Sequence, residues 1–173
     1  MEIFYIKKDE FLKKVSRQEL EKVADGRKYK SETKYIEHLC GLYLVKYLAE
    51  KYYNLPDTEI ILKNGKPVFK NSDLHFSISH SKDIVLVVFS KNNVGVDVEY
   101  MADRDFAGIL KYYGKDNENL TKEEFYRFWT DYEASIKLAA ETKSSFSAII
   151  EDNYVLTILS DVNMVSDFAI MKV

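Results

Sequence analysis

Asp97 and Glu99 stand two residues apart in the stretch Val94 to Tyr100, VGVDVEY. Successive side chains of a strand point to opposite faces. Val94, Val96, Val98 and Tyr100 therefore share one apolar face, and Gly95, Asp97 and Glu99 share the other. Two neighbouring carboxylates repel, and a cation between them relieves the repulsion. All-oxygen ligation of this kind suits a hard ion such as Mg2+. Taken alone, an Asp-x-Glu pair reads as a solvated strand face. Glu133 and Lys137 lie one helical turn apart, a spacing that by itself describes a surface ion pair of a few tenths of a kcal/mol. Other groups able to meet an anion are His80 within Ser79-His80-Ser81, Lys66 within Gly65-Lys66-Pro67, and a basic cluster of Arg27, Lys28, Lys30 and Lys34. A lone histidine at a strand end is most simply a satisfied structural residue, since neutral imidazole finds partners easily.

The elements that must position these groups follow from periodicity. Phe76 and Ile78 alternate with Ser77 and Ser79 as in a half-buried strand, and residues 80–83 break the pattern as a turn. Ile84 to Phe89 is a continuous apolar run, expected for a strand buried on both faces. A short strand is expected over residues 1–6 and one polar helical stretch over residues 10–24. A long helix should run from about Ser31 to Tyr53, with Ile36, Leu39, Cys40, Tyr43, Leu44, Tyr47 and Leu48 as its buried stripe. Residues 59–62 and 66–69 read as a hairpin around Asn64-Gly65. A short helix is expected near residues 106–113. The next helix, from about Thr121 to Ala140, opens with a capping box of Thr121 and Glu124. Its expected core stripe is Phe125, Phe128, Trp129, Tyr132, Ile136 and Ala139. Three short strands follow, at 146–150, 154–159 and 168–173.

The chain has 173 residues, 46% hydrophobic and 31% charged, enough for one domain with a real core. A formal net charge of −3 argues against a general binder of nucleic acid. The single Cys40 excludes an internal disulfide and suits a reducing compartment. The first residues have no long apolar run before their charges, and nowhere is a stretch apolar enough to span a bilayer. A cytoplasmic protein without membrane contact is expected.

Four signals occur in order: Gly65-Lys66-Pro67, Ser79-His80-Ser81, Gly95-Val96-Asp97-Val98-Glu99, and Trp129 with Glu133, Ala134 and Lys137. Together they resemble the Sfp-like 4'-phosphopantetheinyl transferases, from the long helix at Ser31 to the helix ending near Ala140. The resemblance implies an α/β fold of the α+β kind, with two pseudo-twofold halves near 1–93 and 94–173 in a single domain. Each half would be a small sheet packed on a long helix, with a ligand cleft between them. It implies transfer of the phosphopantetheine arm of coenzyme A to a serine of an apo acyl or peptidyl carrier protein, with release of 3',5'-ADP. It further implies Mg2+ held by Asp97, Glu99 and Glu133, Glu133 as general base, and Lys137 on the pyrophosphate. His80, preceded by Ser79, would meet a phosphate of coenzyme A, and Lys66 and Pro67 would lie beside the adenine. A monomer is expected.

The chain also departs from the family pattern. Tyr132 stands where the family has lysine. Residues 139–143, Ala-Ala-Glu-Thr-Lys, replace a glycine loop. If Gly41 is the glycine of the long helix, Glu37 occupies the place of an arginine that holds the 3'-phosphate. Lys34, one turn earlier, is then the substitute, although lysine lacks the bidentate fork of arginine. The metal-binding carboxylates are intact while the basic side is thinned. An active divergent transferase and an inactive relative that binds coenzyme A or a carrier protein are both consistent with that pattern.

Overall fold

The computed structural model describes residues 1–115, 118–164 and 168–173. It is an α+β fold of three sheets and five helices among the described residues. Strand β1 (Glu2–Lys7) leads into α1 (Lys8–Phe11), α2 (Arg17–Glu21) and the long α3 (Glu32–Tyr53). The hairpin β2 (Ile60–Lys63) and β3 (Lys66–Phe69) follows, then β4 (His75–Ser81), β5 (Ile84–Ser90) and β6 (Val94–Tyr100). The chain continues through α4 (Ala107–Tyr112), α5 (Lys122–Leu138), β7 (Ser144–Ile150), β8 (Tyr154–Ser160) and β9 (Ala169–Lys172). No helix among the described residues is long and apolar enough to cross a membrane.

The first sheet has the order β4-β5-β1-β9 and the second the order β6-β8-β7. β5 is buried along its whole length because both its faces are covered. One face, with Val85, Val87 and Phe89, meets Leu39, Leu44 and Leu48 of α3. The other, with Ile84, Leu86 and Val88, meets Val94, Val96 and Val98 of β6 and Leu156 and Ile158 of β8. The alternation of VGVDVEY is thus resolved as expected, valines inward. The outer face of the second sheet receives α5, where Ala134 and Leu138 pack with Leu159, and Phe125 and Tyr126 with Val155. A Cβ on Gly95 would lie 2.2 Å from the Ala134 carbonyl oxygen and 2.5 Å from the Leu138 amide nitrogen. Only glycine lets helix and strand backbones approach so closely.

Several expectations are corrected. The helical stretch at 10–24 is two short helices, because the first ends at Phe11 and Ser16 starts the second through a capping box with Glu19. β4 continues to Ser81, so His80 and Ser81 lie in the strand, paired with Val85 and Ile84, and the turn shrinks to Lys82-Asp83. On α3, Tyr47 is exposed while Glu37, Gly41, Leu42, Val45 and Ala49 join the buried face. On α5 the buried residues are Phe125, Tyr126, Thr130, Ala134 and Leu138. Ile136 is 56% exposed and Ala139 is also exposed. The helix is turned by the need to seat Ala134 and Leu138 on Gly95, and Thr130 meets Thr157 of β8 through a 2.7 Å hydroxyl pair. The aromatic stripe instead forms a second, half-buried cluster with Phe106 and Tyr113.

Candidate functional site

A cavity of about 720 Å³ opens where α3, the β2–β3 hairpin, β4, β6 and α5 meet. Cavities of this size accommodate small ligands. Lys34 enters its wall from α3, Lys66 and Pro67 from β3, and Ser79 and His80 from β4. Asp97 and Glu99 come from β6, and Glu133 and Lys137 from α5. All the residues to which the resemblance assigned a role therefore face this one space. Its wall also includes Arg27 of the basic cluster and Trp129 of the fourth motif, together with Asp25, His38 and Ile136, which the motifs did not mark. Trp129 is thus a half-buried wall residue and not the interior packing its stripe position suggested.

The acidic end is built by the strand alternation. Asp97 is buried, and its Oδ1 accepts from the Ser79 hydroxyl at 2.7 Å and from the Lys137 ammonium at 2.7 Å. Its Oδ2 is buried without a hydrogen-bond partner. Glu99 Oε2 accepts from the Ser81 hydroxyl at 2.6 Å. Burial and the Asp97 charge push the Glu99 carboxyl above the usual range, against the Ser81 bond. Glu133 is raised in the same way, by burial first and by Asp97 second, with Lys137 opposing. Glu99 and Glu133 thus each sit in a poorly solvated place within reach of the Asp97 charge.

Among the described residues, no three His, Cys, Asp or Glu side chains stand close enough to form a ready metal cage. A Mg2+ site does not require one. The ion is commonly held by one or two carboxylates, with water and substrate phosphate completing the octahedron. The unpartnered Asp97 Oδ2 beside the repelling carboxyls of Glu99 and Glu133 fits that pattern.

The basic groups are more committed. Lys66 Nζ donates to the carbonyls of Val94 at 2.7 Å and Leu138 at 3.4 Å and also to Asn93. Burial lowers its pKa to about 8. It ties the end of β6 to the end of α5, with its three protons already placed. Glu37, buried in α3, pairs with Lys8 at 3.0 Å and with Lys34 at 3.1 Å. Burial opposes its ionisation, but these lysines outweigh it and hold the carboxyl below the usual range. His80 Nδ1 lies 3.2 Å from Glu37 Oε2 without a well-directed hydrogen bond, and burial lowers its pKa to about 4. His80 is therefore neutral at pH 7, and Lys34 already faces a carboxylate. Tyr132 packs its ring 4.7 Å from that of Tyr113.

Sequence comparison supports the family resemblance. No family model matches the chain. It is 30% identical over 131 residues to the 4'-phosphopantetheinyl transferase psf-1 of Bacillus pumilus, covering 66% of this chain and 56% of that protein. It is 31% identical over 111 residues to the 4'-phosphopantetheinyl transferase gsp of Aneurinibacillus migulanus, covering 57% and 46%. It is 28% identical over 115 residues to the 4'-phosphopantetheinyl transferase Sfp of Bacillus subtilis, covering 57% and 50%. The chain spans about half the length of the curated relatives it matches.

Proposed function

We propose that this chain, a divergent relative of the Sfp-like 4'-phosphopantetheinyl transferases, moves the phosphopantetheine arm of coenzyme A onto a serine of an apo acyl or peptidyl carrier protein. The carrying observation is that Asp97, Glu99, Glu133, Lys137 and His80, drawn from three separate motifs, line one cavity. In this reading the serine oxygen attacks the phosphorus that bears the pantetheine arm. The bond from that phosphorus to the bridging diphosphate oxygen breaks, and 3',5'-ADP leaves. Glu133 takes the serine proton, directly or through a water. Its raised pKa makes it a stronger base than an ordinary glutamate at neutral pH. Lys137 supplies positive charge beside the diphosphate from its place next to Asp97. Asp97, Glu99 and Glu133 would hold Mg2+, which when bound neutralises charge on the phosphoryl oxygens.

Mass spectrometry of an apo carrier protein incubated with this protein, coenzyme A and Mg2+ is the direct test. The expected result is a gain of one phosphopantetheine arm on the carrier, lost when Mg2+ is chelated. No gain across fatty-acid, polyketide and peptide carriers would remove the transferase reading.

A second reading, binding of coenzyme A without transfer, draws on the thinned cationic side: Lys34 is paired with Glu37, and Tyr132 packs edge-to-face against Tyr113. The same two features bear on how the nucleotide is selected. With His80 neutral and Lys34 already compensated, the 3'-phosphate finds little free charge. Calorimetry should therefore give affinities for coenzyme A and dephospho-coenzyme A within about threefold of each other. Glu37→Gln frees Lys34 for a charge-assisted bond of about 1.5–3 kcal/mol. The preference of that variant for coenzyme A should rise to roughly tenfold or more. A wild-type protein that already prefers coenzyme A by that margin would contradict this account of Glu37.

A further inference from the structure

The two sheets meet along β4 and β6 through side chains in place of a backbone ladder. Ser77, Ser79 and Ser81 stand at alternate positions of β4, and each Oγ accepts an amide of β6. Val96 N–H donates to Ser77 at 3.1 Å, Val98 N–H to Ser79 at 3.2 Å, and Tyr100 N–H to Ser81 at 3.1 Å. The strands run in the same direction, so three hydroxyls two residues apart meet three amides two residues apart.

A serine hydroxyl has one hydrogen to give. Ser79 gives it to Asp97 and Ser81 gives it to Glu99, in each case the residue before the amide that the serine accepts. Ser77 faces the same geometry, but the residue before Val96 is Gly95, which has no side chain. The three hydroxyls thus do the same work on the backbone, and only two of them also grip a carboxylate. Ser79 Oγ accepts from the Lys137 ammonium at 3.0 Å as well, so its one hydrogen and both lone pairs are used within the protein. It has nothing left to offer a ligand.

We propose that Ser79 and Ser81 are positioning residues that fix one oxygen of Asp97 and of Glu99, so that the remaining carboxylate oxygens are presented to a divalent cation. The proposal rests on the reading of Asp97 and Glu99 as metal ligands. It assigns Ser79 a place behind Asp97, and it gives Ser81, to which the resemblance assigned no role, the matching place behind Glu99. The free Asp97 Oδ2 is the counterpart of the occupied Oδ1. A carboxylate locked through one oxygen loses less rotamer freedom when it binds an ion, and removing such a partner commonly weakens metal affinity by roughly 10–100-fold.

Mn2+ binding to the whole chain, followed by loss of the free-ion electron paramagnetic resonance signal, tests this with a control that the fold provides. Ser77→Ala, Ser79→Ala and Ser81→Ala each remove one partner of a β6 amide, so all three should lower the melting temperature, Ser77→Ala least. Mn2+ affinity should fall tenfold or more in Ser79→Ala and Ser81→Ala and stay within about twofold in Ser77→Ala. Ser81→Thr, which keeps the hydroxyl, should restore it. If an alanine variant does not fold, Ser81→Cys keeps the size while weakening the donor, and should lose affinity in the same sense. Equal losses in Ser77→Ala and Ser81→Ala, or undiminished affinity in folded Ser79→Ala and Ser81→Ala, would overturn the positioning role and leave the metal site standing. No Mn2+ binding by the wild type would remove the metal site itself and this role with it.

Discussion

Gly95→Ala should be the most damaging single methyl that can be added to this protein. The new Cβ would sit 2.2 Å from the Ala134 carbonyl oxygen and 2.5 Å from the Leu138 amide nitrogen, atoms of the α5 backbone that cannot rotate away. Ordinary overpacking costs about 1–3 kcal/mol where side chains can yield. Here α5 must shift bodily from β6, and a loss on the order of 4 kcal/mol or more is expected. In a chain of this length that is a drop in melting temperature of roughly 10 °C or more. Two other glycines calibrate the result. In Gly41→Ala the Cβ would meet Cγ2 of the Ile78 side chain at 2.7 Å, a group that can turn, so the loss should be smaller. In Gly108→Ala the Cβ meets nothing within 4 Å, and the change lies in α4, so stability should rise by about 0.5–1 kcal/mol. Thermal melting of the three variants side by side checks the order. A Gly95→Ala protein that melts with wild type would show that α5 does not rest on β6 as described.

Asp97→Asn should abolish transfer while sparing the fold. Asparagine keeps an oxygen to accept from Ser79, so the contact between β4 and β6 survives, but the Lys137 ammonium loses its ionic partner. The charge that would hold the cation over the diphosphate is also gone. Removing one preorganised electrostatic group from a reacting centre commonly costs about 10²–10³-fold in rate, and a loss of that size in single-turnover transfer is expected. Binding of coenzyme A should persist. If the asparagine variant transfers within about threefold of wild type, Asp97 has no part in the chemistry, and the reaction does not take place at this end of the cavity.

What the sequence disclosed and what it hid divide along the reach of each interaction. The inward valines and outward acids of β6 follow from a period of two, and the Thr121-Glu124 capping box from three residues of spacing. The Ser16-Glu19 box was equally legible, and reading it would have split the stretch at 10–24 into its two helices. The rotation of α5 was not legible from its own residues. Phe128, Trp129, Tyr132 and Ile136 form a convincing apolar stripe, yet the helix buries Thr130 and Ala134 because small residues let it sit against Gly95 and Thr157. The serines of β4 read as a solvent-facing row, although Ser77 and Ser79 are buried, since their partners lie 19 residues away on another sheet. Glu37 hid its character in the same way. Its partner Lys8 is 29 residues distant, and no local pattern marks a glutamate as the centre of a buried ion cluster.

The parallel pairing of β1 with β9 has a consequence for how this protein is made. Glu2 lies beside Ala169 and Tyr5 beside Lys172, so β1 is completed by a strand from far along the chain. Its other neighbour, β5, arrives earlier, with Phe89 opposite Glu2. Doubling the length of chain that must be closed costs only about 0.6 kcal/mol, but pairing so distant in sequence slows folding. Throughout that interval β1 carries an open edge of unsatisfied amides and carbonyls, the kind of edge that recruits strands from other chains. Synthesis that pauses after β8 would therefore leave the six-residue edge of β1 open, and the four-residue β9 covers it and puts a shorter edge in its place.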